Sequence, residues 1–274
     1  MKLVVKLSGK VLEEDGRRAR LCRQLARLHR DGHRMVLLHG GGRQLTELSE
    51  RLGVPVVQFE GRRITDAETL ELAVMVFSAI NRYLVAALRA EEIPALGIAA
   101  FDAGLISCRR RPPISVFVDD AKGNRRREEV DFGLVAEIET VDASVLGRFW
   151  DSGWLPVISS LGADPGGQIL NVNADTLAAE VAAAAGADRL LSVSDVEGIR
   201  RSADDPESRI PELASAEVRA LIEKGVIRDG MIPKVETALK ALSRGVRSVQ
   251  IVSGLEENAI LEALEQRAGT LLTD

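Results

Sequence analysis

Met35-Val36-Leu37-Leu38-His39-Gly40-Gly41-Gly42-Arg43 reads as an apolar strand, a triple-glycine turn and the start of a helix. A strand that runs at once into a helix opens a βαβ unit, whose second strand lies parallel to the first. Working outward, Val4-Val5, Pro156–Ser159, Leu190–Val193 and Val249–Val252 have the same strand character, while Arg17–Arg30, Ala67–Arg89 and Ser215–Lys224 carry apolar residues at three- and four-residue spacing. That alternation predicts an α/β fold: a three-layer αβα sandwich with a mainly parallel central sheet and amphipathic helices on both faces. Residues Ile114–Asp131 break the pattern. Ser115-Val116-Phe117-Val118, then Lys122-Gly123-Asn124, then a charged return predict a projecting hairpin.

The 274-residue chain suits one large α/β unit or two lobes sharing a sheet. Aromatics make up only 3% of it, so aliphatic side chains and alanine must fill the core. A net charge of −5 gives no overall attraction to a phosphate backbone, which argues against a nucleic-acid partner. Cys22 and Cys108 are too few for a disulfide framework or a zinc site, and the first strand follows Met1 with no room for a signal peptide; both features point to the cytoplasm. The longest apolar stretch, Leu177–Ala187, is alanine-rich, contains Glu180 and falls short of the roughly 20 residues of a membrane span. It reads as a packed helix, and no membrane partner is expected.

Six motifs carry chemistry. Lys6-Leu7-Ser8-Gly9 places a lysine at the carboxyl end of the first strand, where parallel sheets bind ligands, beside a glycine that lets backbone approach a phosphate. Gly40-Gly41-Gly42 exposes backbone N–H groups at a helix start, an arrangement that holds anions, without matching a Walker A loop. His39 reads as structural. Arg63, in Gly61-Arg62-Arg63-Ile64-Thr65-Asp66, could clamp a carboxylate with two parallel hydrogen bonds, while Thr65 or Asp66 caps the following helix. Asn171-Val172-Asn173-Ala174-Asp175-Thr176 puts two amides and a carboxylate on one face if the segment is extended, before a helix starting near Thr176. Ser194-Asp195-Val196-Glu197-Gly198-Ile199 follows an apolar strand, and Asp229-Gly230-Met231-Ile232-Pro233-Lys234 could deliver a second cation. Each also has a plain reading as a turn, a cap or a surface lysine.

In this order and at these distances, the motifs resemble the amino acid kinase family, and within it the acetylglutamate kinases, from Lys6 to about Thr270. The resemblance implies the amino acid kinase fold, with residues 1–176 as an N-terminal lobe that binds the acyl-amino acid and carries a dimer interface, and residues 177–274 as a nucleotide-binding lobe. It implies transfer of the γ-phosphoryl group of ATP, with Mg²⁺, to the side-chain carboxylate of N-acetyl-L-glutamate. Lys6 and Lys234 would neutralise the transferring group, with Asp175 holding both. Gly41, Gly42, Arg63, Asn171 and Asn173 would bind the substrate. Lys6, Ser8, Gly9, Ser194, Asp195, Gly198 and Lys234 would contact the nucleotide. A side-chain carboxylate is already ionised at neutral pH, so the chemistry needs no general base and suits a chain with only three histidines. No carboxylate cluster with metal-ligand spacing is visible, so ATP's phosphates would hold the Mg²⁺ and no protein metal site is expected.

Two other readings stand beside this one. Arg109-Arg110-Arg111 and Arg125-Arg126-Arg127 flank the predicted hairpin, and a basic rim there would suit a kinase acting on aminoadipate or glutamate attached to an acidic carrier protein. A non-catalytic sensor of nucleotide or amino acid would have no need of Lys6, Asp175 and Lys234 together. Arginine-inhibited hexamers of the resembled family carry a helix ahead of the first strand, so this chain is expected to form a homodimer insensitive to arginine.

Overall fold

The computed structural model describes residues 1–119, 125–202 and 205–274. β1 (Lys2–Leu7) passes through a 3-10 turn, Gly9–Leu12, into α1 (Asp15–Arg30), followed by β2 (Arg34–His39) and α2 (Gly42–Leu52). A small hairpin, β3 (Gln58–Phe59) and β4 (Arg62–Arg63), precedes α3 (Ala67–Ala90) and β5 (Ala95–Ala99). Two antiparallel pairs come next, with β6 (Ile106–Arg110) on β9 (Ala136–Val141) and β7 (Ile114–Asp119) on β8 (Arg125–Val130). Then follow α4 (Ala143–Asp151), β10 (Leu155–Ser159), the pair β11 (Leu161–Ala163) and β12 (Ile169–Asn171), α5 (Ala174–Ala185) and β13 (Arg189–Ser194). β14 (Glu212–Ala214), α6 (Ser215–Glu223), α7 (Ile232–Ser243), β15 (Val249–Ser253), α8 (Ala259–Leu264) and β16 (Thr270–Thr273) complete the chain.

Eight strands form the central sheet in the order β14-β16-β15-β13-β1-β2-β10-β5, parallel throughout except for β15 against β16. Every strand run read from the sequence outside the hairpin lies in it. β5, β14 and β16 were not legible as strands, because Ala95-Leu96-Gly97-Ile98-Ala99 lacks β-branched density and the other two are three and four residues long. The hairpin at 114–130 is present, while its turn Lys122-Gly123-Asn124 lies outside the described residues.

The side-chain alternation of β1 divides the core. Leu3, Val5 and Leu7 pack with α1, α3 and α8, whereas Val4 faces the layer of α4, α5, α6 and α7. Lys6 stands on the Val4 face by the same period of two, which aims it at α5 and α7. Helix α3, 24 residues long, is apolar enough by length and composition to cross a membrane. Here its apolar stripe lies on β5 and β10 and against α1 and α2, with Leu84 and Leu88 fully buried.

Candidate active site

The carboxyl ends of β1, β2, β10 and β13 finish level, since Leu7 pairs with both His39 and Val193, and His39 with Ser159. Beyond them opens a cleft of about 1000 Å³, lined by Lys6, Ser8, Gly9, Gly41, Gly42, Arg63, Asn171, Asn173, Asp175, Asp195 and Lys234 among others. The folding of one sheet thus collects residues from positions 6 to 234.

Lys6 is 5% exposed, and its Nζ lies 2.8 Å from Asp175 Oδ1. Burying an ammonium costs several kcal/mol unless it is paired, so this ion pair fixes where the cation sits. Asp175 occupies the first turn of α5, where a negative charge meets the positive end of the helix dipole. Burial pushes its carboxyl up, but Lys6 and Lys234 outweigh burial and hold it below the usual carboxylate range. Lys234 stands in the first turn of α7, after Pro233. Burial first, and repulsion from Lys6 second, bring its ammonium below the ordinary lysine range. The expectation that Asp175 holds both lysines needs correction in its geometry. Asp175 pairs directly with Lys6, and among the described residues Lys234 makes no ion pair within 4.0 Å. Asp175 acts on Lys234 through space.

Around these charges the backbone is arranged to receive anions. α2 is preceded by Gly41 as its N-cap, which offers no side-chain cap, so its first N–H groups remain free at the cleft. Gln44 Nε2 donates to Gly9 O at 2.8 Å and ties that helix to the turn after β1. A Cβ on Gly9 would fall 2.3 Å from Gln44 Oε1, so any side chain there would push the Gln44 amide out of its present position. His39 is fully buried beneath; its Nε2 accepts from Asn81 Nδ2 at 3.1 Å, Nδ1 donates to Gly40 O at 3.0 Å, and burial lowers its pKa to about 4. It is a neutral strut, as the sequence reading has it.

At the other end of the cleft, Arg63 Nη2 donates to Thr46 Oγ1 at 2.5 Å and to Gly42 O at 3.1 Å, while its Nη1 is buried with no partner. A buried guanidinium nitrogen without an acceptor costs stability and calls for an anion. Asn171 Nδ2 donates to Thr65 Oγ1 at 3.1 Å, which leaves its Oδ1 to accept. Asp66 is the cap of α3, accepting from Thr69 N.

Three expectations change. Asn171, Asn173 and Asp175 do not share the face of an extended segment. α5 begins at Ala174, two residues earlier than expected, and Asn173 is its cap, accepting from Thr176 N at 2.9 Å. Its amide is engaged by the helix even though it lines the cleft. Ser194 and Gly198 do not line the cleft. Ser194 is fully buried at the end of β13, and Gly198 (φ +121°) packs so tightly that a Cβ would meet Thr270 Oγ1 at 2.6 Å. The basic rim is neutralised in part. Arg109 pairs with Glu137 at 2.8 Å and Arg110 with Asp131 at 2.8 Å, leaving Arg111 stacked over the Phe132 ring at 4.9 Å, inside the cleft. The side chains of Arg125 and Arg126 lie outside the described residues. Sequence reading also passed over Lys10, Gln44 and Phe132, all close to the cleft or in it; only Lys10, adjoining Gly9, had a signal that could have found it. Among the described residues no group of three or more His, Cys, Asp or Glu side chains converges as a metal site.

A model of the amino acid kinase family matches residues 1–253. An acetylglutamate kinase of Sorangium cellulosum is 44% identical over 93% of this chain and 87% of its own length. One from Methanopyrus kandleri is 37% identical over 98% of this chain and 99% of its own. Among solved structures, the N-acetylglutamate synthase of Neisseria gonorrhoeae complexed with coenzyme A and L-arginine superposes with a TM-score of 0.82 at 25% identity, over 99% of this chain and 61% of the synthase. Carbamate kinase from Giardia lamblia bound to AMP-PNP shares the fold, with a TM-score of 0.67 at 16% identity.

Proposed function

Because this chain belongs to the amino acid kinase family, we propose that it transfers the γ-phosphoryl group of ATP to the side-chain carboxylate of N-acetyl-L-glutamate, a step of arginine biosynthesis. Full-length relatives at 35–44% identity are acetylglutamate kinases, which supports the substrate. The single observation that carries the chemistry is the convergence of buried Lys6 with half-buried Asp175 and Lys234 beside the free amide groups of Gly41 and Gly42.

Arg63 Nη1 takes the substrate's α-carboxylate and Asn171 Oδ1 its amide N–H, which aims the side-chain carboxylate at the lysines. That carboxylate oxygen forms a bond to Pγ as the bond from Pγ to the β,γ-bridging oxygen breaks, giving an acyl phosphate and ADP. Lys6 and Lys234 stabilise the charge that gathers on the equatorial oxygens, the role that positioned cations play in phosphoryl transfer. Gly9 and the amides at the start of α2 position the phosphates. Mg²⁺, carried on the triphosphate, supplies further neutralisation. Residues 1–176 form the acyl-amino-acid lobe and 177–274 the nucleotide lobe. Two copies pair through the first lobe, where Met75 and Tyr83 lie 59% and 61% exposed on α3; light scattering should give twice the chain mass, unchanged by arginine. The two buried, unpaired cysteines suit a reducing cytoplasm.

The direct test is hydroxylamine trapping of acyl phosphate from MgATP and N-acetyl-L-glutamate. Absence of hydroxamate, with turnover on a carrier-bound substrate instead, would transfer the assignment to the carrier kinases. Replacing Arg63 with methionine should raise KM for acetylglutamate roughly ten- to a hundredfold, the worth of a charged hydrogen bond, with KM for ATP nearly unchanged. A parallel rise in both constants would refute the clamp.

The pH profile offers an independent check. The protonated fraction of Lys234 in the free enzyme falls as pH rises through its lowered pKa. The alkaline limb of kcat/KM for ATP should therefore lie below the ordinary lysine range of about 10.4. Bound triphosphate restores the ammonium, so the limb of kcat should lie higher. Coincident limbs in the two profiles would count against Lys234.

A further inference from the structure

Three lysines face the phosphate end of the cleft, and the reaction above employs two. The third is Lys10. It follows Gly9 in the 3-10 turn after β1, whose Gly9, Val11 and Leu12 are buried while Lys10 points outward into the cleft. Its Nζ lies 2.6 Å from Asp195 Oδ2, on the first residue past β13. The pair bridges the ends of β1 and β13 beside Gly9. Asp195 is drawn down by its hydrogen bond from Lys10 and also by Lys234, against burial, and Lys10 in turn disfavours the ammonium of Lys234. Lys10, Asp195 and Lys234 therefore share one electrostatic neighbourhood.

As a clasp for the fold this pair is weak, because Lys10 is 49% exposed and exposed ion pairs contribute little. As an exchangeable contact it is well placed. A polyphosphate lying against the Gly9 and Gly41 amides brings several negative charges to the same spot, where a single carboxylate competes poorly for the ammonium.

We propose that Lys10 is a third phosphate-binding lysine, held by Asp195 in the free protein and transferred to the triphosphate when nucleotide binds. The inference rests on the kinase reading for its ligand, and not on the identity of the phosphate acceptor. Binding of ATP, ADP and adenosine to the full chain, measured by calorimetry, tests it with Lys10→Met and Lys10→Arg. Lys10→Met should weaken ATP and ADP about tenfold and leave adenosine binding and KM for acetylglutamate unchanged, and Lys10→Arg should recover most of the loss. The proposal fails if Lys10→Met binds ATP as tightly as the parent, or loses adenosine equally. Loss of ATP affinity in a chain that gives no acyl phosphate from acetylglutamate would leave this inference standing and overturn the acceptor instead.

Discussion

Replacing Lys234 with methionine should lower kcat about 10²–10³-fold while leaving both KM values within a few fold and the melting temperature unchanged or slightly raised. The rate loss is the scale found when one preorganised stabiliser of transition-state charge is removed, and it falls on kcat because the charge gathers as the phosphoryl group moves. The stability expectation follows from the surroundings. A cation in the first turn of a helix opposes the dipole, and Lys234 is there, partly buried, repelled by Lys6 and without an ion pair within 4.0 Å among the described residues. Attraction to Asp175 and Asp195 is outweighed by burial and by Lys6, so thermal unfolding should not suffer. Lys234→Arg keeps the charge but not the compact ammonium and should recover only part of the rate. An unchanged kcat in Lys234→Met would reduce this lysine to a surface residue.

Asp175→Asn should instead lose rate and stability together. Its partner Lys6 is 5% exposed and would be left as an ammonium without its counter-ion at 2.8 Å. Breaking a buried pair costs about 3–5 kcal/mol. Because the Asp175 side chain is 31% open to the cleft, solvent screening reduces this to roughly 2–3 kcal/mol, or about 5–10 °C in melting temperature for a chain of this size. The carboxyl's folded pKa is depressed, so its stabilisation is complete above the unfolded value and is lost as pH falls through the folded one. The gap between parent and variant should be full at neutral pH and close in strong acid. An acid-independent gap would mean that packing, not charge, was lost. kcat should fall about 10²-fold as Lys6 drifts from its position.

The residues that proved legible are those whose local chemistry repeats a rule. Apolar runs of two to four residues became the five- and six-residue strands β1, β2, β10, β13 and β15, and the glycine run after β2 became the uncapped start of α2. Short strands at the sheet's margins were not legible, because β14 and β16 form only through neighbours that the local sequence does not name. The error over Asn173 has a similar cause. Alternation in an extended segment and a helix cap demand the same residue types, and only the hydrogen bond to Thr176 N distinguishes them.

By itself the sequence determined the layer architecture, the parallel sheet and the segments that reach its carboxyl edge, since these follow from hydrophobic period and turn chemistry within single elements. Tertiary structure alone decided which charges meet. Lys6 pairs with Asp175 and Lys10 with Asp195, while Arg109 and Arg110 are neutralised across β9 and the loop before it and Arg111 is not. Coulomb energy depends on distance through space and on how much water the fold removes between two groups, and neither quantity is a property of positions along a chain.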